Sequence, residues 1–217
     1  MKVGVDGTLL GAWVNCHHRK RILDVGTGSG LIALMLAQRN SEAHITAIEI
    51  EKNAFDQAKV NFNQSPWKNR LVLIHEDYRQ WLSSEKFDLI VSNPPYFINS
   101  LKGDIESRNT ARHADSLSLV SFLTQAEKHL AHNGSIAIIY PFENLKIIEE
   151  TIKICSLSIK CLTLVKPNRK KPPRRVLVEI TREVSLECLI NEIVIHEENG
   201  DFTTQYKNMT KDFYLNF

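Results

Sequence analysis

Short apolar runs alternate with stretches in which apolar residues recur every three or four positions, and that alternation predicts a parallel sheet with helices on both faces. The β-rich runs fall at residues 21–25, 44–48, 71–75 and 87–92. Helical spacing follows the first at Leu31, Leu34 and Met35, and the second at Phe55, Ala58 and Phe62. Further on, Leu119, Leu123, Ala126 and Leu130 predict a helix ending at Asn133 and Gly134, residues 135–140 a fifth strand, and Leu145, Ile148 and Ile152 another helix. The chain then changes character. Residues 157–165 and 176–180 read as two strands joined by a basic, proline-containing loop, so they are expected to pair antiparallel at one edge.

Two motifs carry chemistry. The first strand runs through Asp24 into Gly26, Thr27, Gly28, Ser29 and Gly30, then a helix, which is the form of a nucleotide-binding loop. Glu49 closes the second strand nineteen residues after Gly30, where it can accept from two ribose hydroxyls. That spacing also suits a dinucleotide dehydrogenase, but the loop is Gly-x-Gly-x-Gly rather than Gly-x-Gly-x-x-Gly. The second motif is Asn93-Pro94-Pro95-Tyr96, directly after the strand at 87–92. Prolines have no N–H, so this turn offers acceptors without backbone donors. A ring-conjugated amine is a poor nucleophile, and acceptors on both of its hydrogens draw its lone pair out of conjugation. The Asn93 side-chain oxygen and the Pro94 carbonyl suit that task, while Tyr96 offers a face on which a flipped base stacks. A dehydrogenase has no use for such a turn, so the pair of motifs points to methylation of a planar nitrogen. Pro-Pro also simply ends strands in many folds. Asp77, after the third strand, is placed either to accept from a cofactor adenine amine, with Tyr78 beside that ring, or to be the N-cap of a helix before Trp81.

With 217 residues, 43% apolar content and net charge +2, the chain is expected to form one domain with a sizeable core. It has no apolar run of membrane-spanning length and no signal-peptide character at its start, so a cytoplasmic protein is expected. Cys16, Cys155, Cys161 and Cys188 lack Cys-x-x-Cys spacing and read as reduced packing residues. His17, His18 and His113 lack ligand spacing, and no metal is expected. Charge is balanced overall but not locally. Residues 166–175 hold six basic and no acidic side chains, including Arg169, Lys170, Lys171 and Arg174, whereas 183–201 holds six acidic and none of Lys or Arg. The basic loop would track an RNA phosphate backbone, or would be a solvated guard on a sheet edge. Arg108 and Arg112, in the polar segment after Tyr96, would clamp phosphate or be plain surface charge.

Taken in order, the glycine loop, Glu49, Asp77 and Asn93-Pro94-Pro95-Tyr96 resemble class I S-adenosylmethionine-dependent methyltransferases of the amino-group type. More narrowly, the chain resembles the tRNA1(Val) (adenine-37-N6)-methyltransferase family. That match rests on residues 3–13, on Ala111-Arg112-His113 with Leu117-Ser118, and on Thr210-Lys211-Asp212-Phe213-Tyr214-Leu215. The resemblance spans essentially the whole chain. It implies a Rossmann-like α/β fold with a seven-stranded, mostly parallel sheet of order 3-2-1-4-5-7-6, formed by one domain over residues 1–217. It implies S-adenosylmethionine as cofactor, bordered at its methionine end by residues 6–10, and a tRNA partner methylated at the adenine beside the anticodon. The family usually has a short additional segment before the equivalent of residue 1. The expected cofactor-binding residues are Asp24, Gly26, Thr27, Gly28, Gly30, Glu49, Asp77 and Asn93, and the expected catalytic residues are Asn93, Pro94 and Tyr96. A release-factor glutamine-N5 methyltransferase, a guanine-N2 methyltransferase of ribosomal RNA and a non-catalytic RNA-binding module are the competing readings. A monomer is expected.

Overall fold

Alternation along the buried strands sends successive side chains to opposite faces of one sheet, and each face is filled by its own apolar layer. The computed structural model describes residues 4–94, 118–183 and 188–214. Its helices are α1 (Val5–Trp13), α2 (Leu31–Arg39), α3 (Lys52–Gln64), α4 (Leu119–His129), α5 (Leu145–Ile154) and α6 (Thr204–Thr210). Its strands are β1 (Arg21–Val25), β2 (His44–Glu49), β3 (Leu71–His75), β4 (Phe87–Ser92), β5 (Leu130–Pro141), β6 (Ser158–Asn168), β7 (Arg175–Thr181) and β8 (Leu189–His196). Ile22, Leu89, Val91, Ala137 and Ile139 pack with α1, α2, α6 and Phe62 of α3. Leu23, Val25, Ile90, Ile136 and Ile138 pack on the other face with α4, α5 and the Tyr78–Trp81 turn. This period-two division is what a doubly covered sheet requires.

The strand order is β3-β2-β1-β4-β5-β7-β6-β8. It contains the expected order and corrects its extent, because an eighth strand lies outside β6 and parallel to it. Only β7 runs against the rest, antiparallel to both β5 and β6. Residues 189–192 of β8 are exposed and only Ile193 and Val194 are buried, so this edge strand has little apolar alternation to betray it. A second correction falls at α4, which ends at His129, four residues before Asn133. Leu130 is instead the first residue of β5, and the β4–β5 register shifts between Phe87 and Leu89. Gly134 belongs to that irregularity, since a Cβ there would lie 2.8 Å from the Phe87 carbonyl oxygen.

Two unforeseen helices close the first face. Residues 7–12 of α1 are all buried, so the helix has no polar stripe to reveal its period. Gly11 lets it lie against α2, where a Cβ would come within 2.7 Å of the Met35 sulfur. Arg39 donates to the carbonyls of Gly11 and Val14, and Trp13 Nε1 donates to Thr163 Oγ1 at 3.0 Å. At the other terminus Thr203 caps α6 by accepting from the Tyr206 amide, and Tyr206 is buried beneath α1 with its hydroxyl 3.0 Å from that of Tyr214.

Candidate active site

The glycine loop and the Asn93 turn meet because β1 and β4 are hydrogen-bonded neighbours that end in register, Val25 opposite Ser92. The buried Ser92 hydroxyl donates to the Val25 carbonyl at 2.8 Å and fixes the junction. Gly26 and Asn93 therefore leave the sheet side by side at the carboxyl edge, the usual ligand crevice of an open α/β sheet. Gly26, Gly28 and Gly30 have φ of 68°, 60° and 85°. Gly26 is exposed and a Cβ there would meet open space, whereas a Cβ on Gly30 would sit 2.5 Å from Phe62 Cε1. The first glycine thus leaves room for a ligand and the last leaves room for α3.

Three carboxylates stand at the ends of β1, β2 and β3. Asp24 is fully buried, with Oδ2 accepting from Thr27 Oγ1 at 2.6 Å and from the Ala33 amide at 3.1 Å. Its Oδ1 has no partner among the described residues. Burial, reinforced by the neighbouring Glu49 charge, pushes the Asp24 carboxyl up to about 7 against the pull of its two hydrogen bonds. Glu49 is 7% exposed and accepts from the Gly28 amide through Oε2 and from the Glu51 amide through Oε1, each at 2.8 Å. The loop amide that a phosphate would use is thereby committed to a carboxylate. An acidic rim with an occupied loop amide favours a ligand rich in donors and without phosphates, which disfavours a dinucleotide.

Asp77 accepts from the backbone as a cap does, but residues 78–80 form a turn and not the expected helix. Its Oδ1 accepts from the Arg79 amide at 2.9 Å, and its carboxylate pairs with the Arg79 guanidinium at 2.6 Å, which holds its pKa below the usual range. Tyr78 is a core residue, its ring 6.1 Å from Phe122 and 5.9 Å from His129. The reading that placed it beside a bound adenine is corrected accordingly. Ile50, which follows Glu49 and is 54% exposed, is the apolar surface available at that edge, and sequence reasoning passed over it.

Asn93 is half-buried and Pro94 buried, while Tyr96, Arg108 and Arg112 lie outside the described residues. The first turn of α1 flanks Asn93, since a Cβ on Gly7 would lie 4.0 Å from Asn93 Nδ2. Gly7 thus lies between Asn93 and the start of α2, and Asp6 pairs with Arg175 of β7 at 2.9 Å. That pair was also missed: its members are 169 positions apart, and no local pattern links them.

The basic loop joins β6 to β7 at the same carboxyl edge, because Pro141 at the end of β5 is in register with Arg175. Its charge is not left local, contrary to expectation. Lys166 pairs with Glu192 at 2.6 Å, Arg169 with Glu197 at 3.7 Å and Lys170 with Glu198 at 3.0 Å, so the acidic tract folds back beside it. Lys171 and Arg174 are exposed and have no ion pair among the described residues. Also among the described residues, no His, Cys, Asp and Glu group is arranged to hold a metal ion, and no helix is long and apolar enough to cross a membrane.

Residues 5–153 match the methyltransferase small domain family. The whole chain is 41% identical to a tRNA1(Val) (adenine(37)-N6)-methyltransferase of Histophilus somni, covering 92% of that protein. It is 42% identical to the like-named protein of Aliivibrio fischeri, again covering 92% of it, and 43% identical over 99% of the chain to that of Parabacteroides distasonis, covering 91%. Among solved structures, a predicted O-methyltransferase of Agrobacterium tumefaciens superposes with a TM-score of 0.71 at 18% identity, covering 95% of this chain and 96% of that one. A glycopeptide N-methyltransferase complexed with S-adenosyl-L-methionine gives 0.59 at 11% identity, covering 82% and 95%. These two likenesses speak for the fold alone. The sequence matches reach further: with an Asn-Pro turn beside a glycine loop on a class I methyltransferase sheet, the chain belongs to the tRNA1(Val) (adenine(37)-N6)-methyltransferase family.

Proposed function

We propose that the protein methylates the exocyclic nitrogen of adenine in a tRNA, at position 37 of tRNA1(Val) as the names of its relatives state, with S-adenosylmethionine as methyl donor in the cytoplasm. The observation that carries this reading is the β1–β4 junction, which sets Asn93 and Pro94 beside the glycine loop. The residues around the loop fit that cofactor. Its ammonium, ribose hydroxyls and adenine amine are donors, and Asp24, Glu49 and Asp77 are acceptors at the ends of three adjacent strands. Glu49 holds the ribose, Asp77 accepts from the adenine amine by exchanging one of the contacts that Arg79 makes to its two oxygens, and Gly26, Thr27, Gly28 and Gly30 shape the approach.

When bound, the cofactor supplies an electrophilic methyl group on a sulfonium. Asn93 Oδ1 and the Pro94 carbonyl accept from the two hydrogens of the target amine, raising its lone pair and aiming it. Tyr96 stacks the target base. With the methyl donor in place, the amine held by Asn93 and Pro94 would take the methyl group in exchange for one of its protons, which would pass to water. No strong base is needed first, so orientation and exclusion of water do most of the work.

The test is incubation of the purified chain with labelled S-adenosylmethionine and unmodified tRNA, ribosomal RNA or release factor, followed by nucleoside and peptide analysis. Label in N6-methyladenosine of valine tRNA is the expected result. Label in a release-factor glutamine would overturn it in favour of the protein substrate. Asn93→Ala is expected to lower turnover at least about a hundredfold while cofactor affinity stays within a few-fold.

A further inference from the structure

The carboxyl-edge loop of residues 169–174 joins β6 to β7, three and two strands from β4, and so stands about 10–15 Å from Asn93 across the sheet by ordinary strand spacing. Its cations fall into two groups. Lys171 and Arg174 are exposed and have no carboxylate partner among the described residues, whereas Arg169 and Lys170 face Glu197 and Glu198 on the turn that follows β8. These two pairs are exposed, with Arg169 and Lys170 at 66% and 74% and their partners at 41% and 63%. Ion pairs this exposed are weak and readily give up one partner for another anion. Lys166 and Glu192 differ, because Lys166 is 25% exposed and its pair lies along the β6–β8 ladder as part of the sheet edge.

We propose that Glu197 and Glu198 are exchangeable stand-ins for RNA phosphates. In the free protein they occupy Arg169 and Lys170, and a tRNA first met by Lys171 and Arg174 displaces them. The proposal rests on the RNA reading above and adds to it a built-in restraint on binding to any passing polyanion. It follows from charge and position: Glu197 and Glu198 stand against Arg169 and Lys170, the places at which phosphates would meet those cations. Counterion accounting gives a signature. Phosphates neutralised by protein release cations, but displaced carboxylates take cations up, so each exchange offsets part of the salt dependence of binding.

The experiment measures binding of tRNA and of an unrelated single-stranded RNA across a salt series. Wild type is compared with Glu197→Gln/Glu198→Gln and with Glu42→Gln/Glu85→Gln. The latter alters net charge equally, at exposed positions at the opposite, amino edge of the sheet. The Glu197/Glu198 variant is expected to bind both RNAs about threefold to thirtyfold more tightly near 0.1 M salt, with a salt slope steeper by about one to two. The Glu42/Glu85 variant is expected to do neither. Equal gains in the two variants, or none in either, would overturn the exchange. Lys171→Ala/Arg174→Ala separates the two layers of the argument: if it leaves RNA binding unchanged, the RNA reading of this edge fails and takes the exchange with it. If it weakens binding while the Glu197/Glu198 variant matches wild type, the exchange alone fails.

Discussion

Asp24 shows how a single residue at the crevice can be costly to the fold. Its pKa in the folded chain is about 7 against an ordinary 3.8, because burial disfavours the charge more than Thr27 and Ala33 stabilise it. For an acid whose pKa is raised by folding, the stabilising contribution is complete below about pH 4 and is lost as pH climbs through 7. The integrated loss is about 4 kcal/mol. Asp24→Asn stays neutral, so thermal melts of the cofactor-free protein between pH 5 and 8 are expected to fall less steeply than those of wild type. A variant that melts with the wild-type slope would assign that pH dependence elsewhere. The position of Asp24 was legible, since it closes the strand entering the glycine loop, but its unpartnered oxygen was not. A missing partner is a property of the packed core and leaves no mark on neighbouring residues.

At the scale of elements, legibility tracks how a segment is buried. The strands β1, β2 and β4 are short, almost continuously buried apolar runs, the helices α2, α3 and α5 repeat apolar residues at helical spacing, and both kinds of segment read correctly. By contrast, α1 is buried on nearly all sides and β8 is half exposed, so neither repeats at its own period. For the site the pattern is similar. The glycine loop, Glu49 and Asn93 could be found because each lies at a strand end. The pairing of Asp6 with Arg175 arises only when β7 is inserted between β5 and β6. That pair anchors the first turn of α1, which flanks Asn93. Asp6→Asn is therefore expected to cost about 1 kcal/mol in urea denaturation, given its partial burial, and to speed hydrogen exchange at the amides of Thr8 and Leu9. Exchange unchanged in that turn would show that packing against α2 suffices to hold it.

In the whole molecule the first and last described helices meet, α6 packing against α1 and the last strand of the sheet. Tyr206 is the centre of that closure, 1% exposed, stacked 5.1 Å from Phe202 and bonded to Tyr214. Tyr206→Ala is expected to destabilise the protein by about 3–5 kcal/mol, and Tyr206→Phe by only about 1 kcal/mol, measured by denaturant unfolding. Equal losses would assign the contribution to the hydroxyl pair rather than to the ring. The clasp keeps α1 over the crevice, and so the far end of the sequence supports a site built almost entirely from its first half. One bond within that site also bears on the choice of ligand. The Gly28 amide is held by Glu49, so the pocket meets an adenosine ligand with negative charge where a kinase or dehydrogenase would offer bare amides. An adenine nucleotide would bring its phosphates toward this carboxylate, a charge cost that a sulfonium ligand does not meet, so discrimination between them would come from charge rather than from shape.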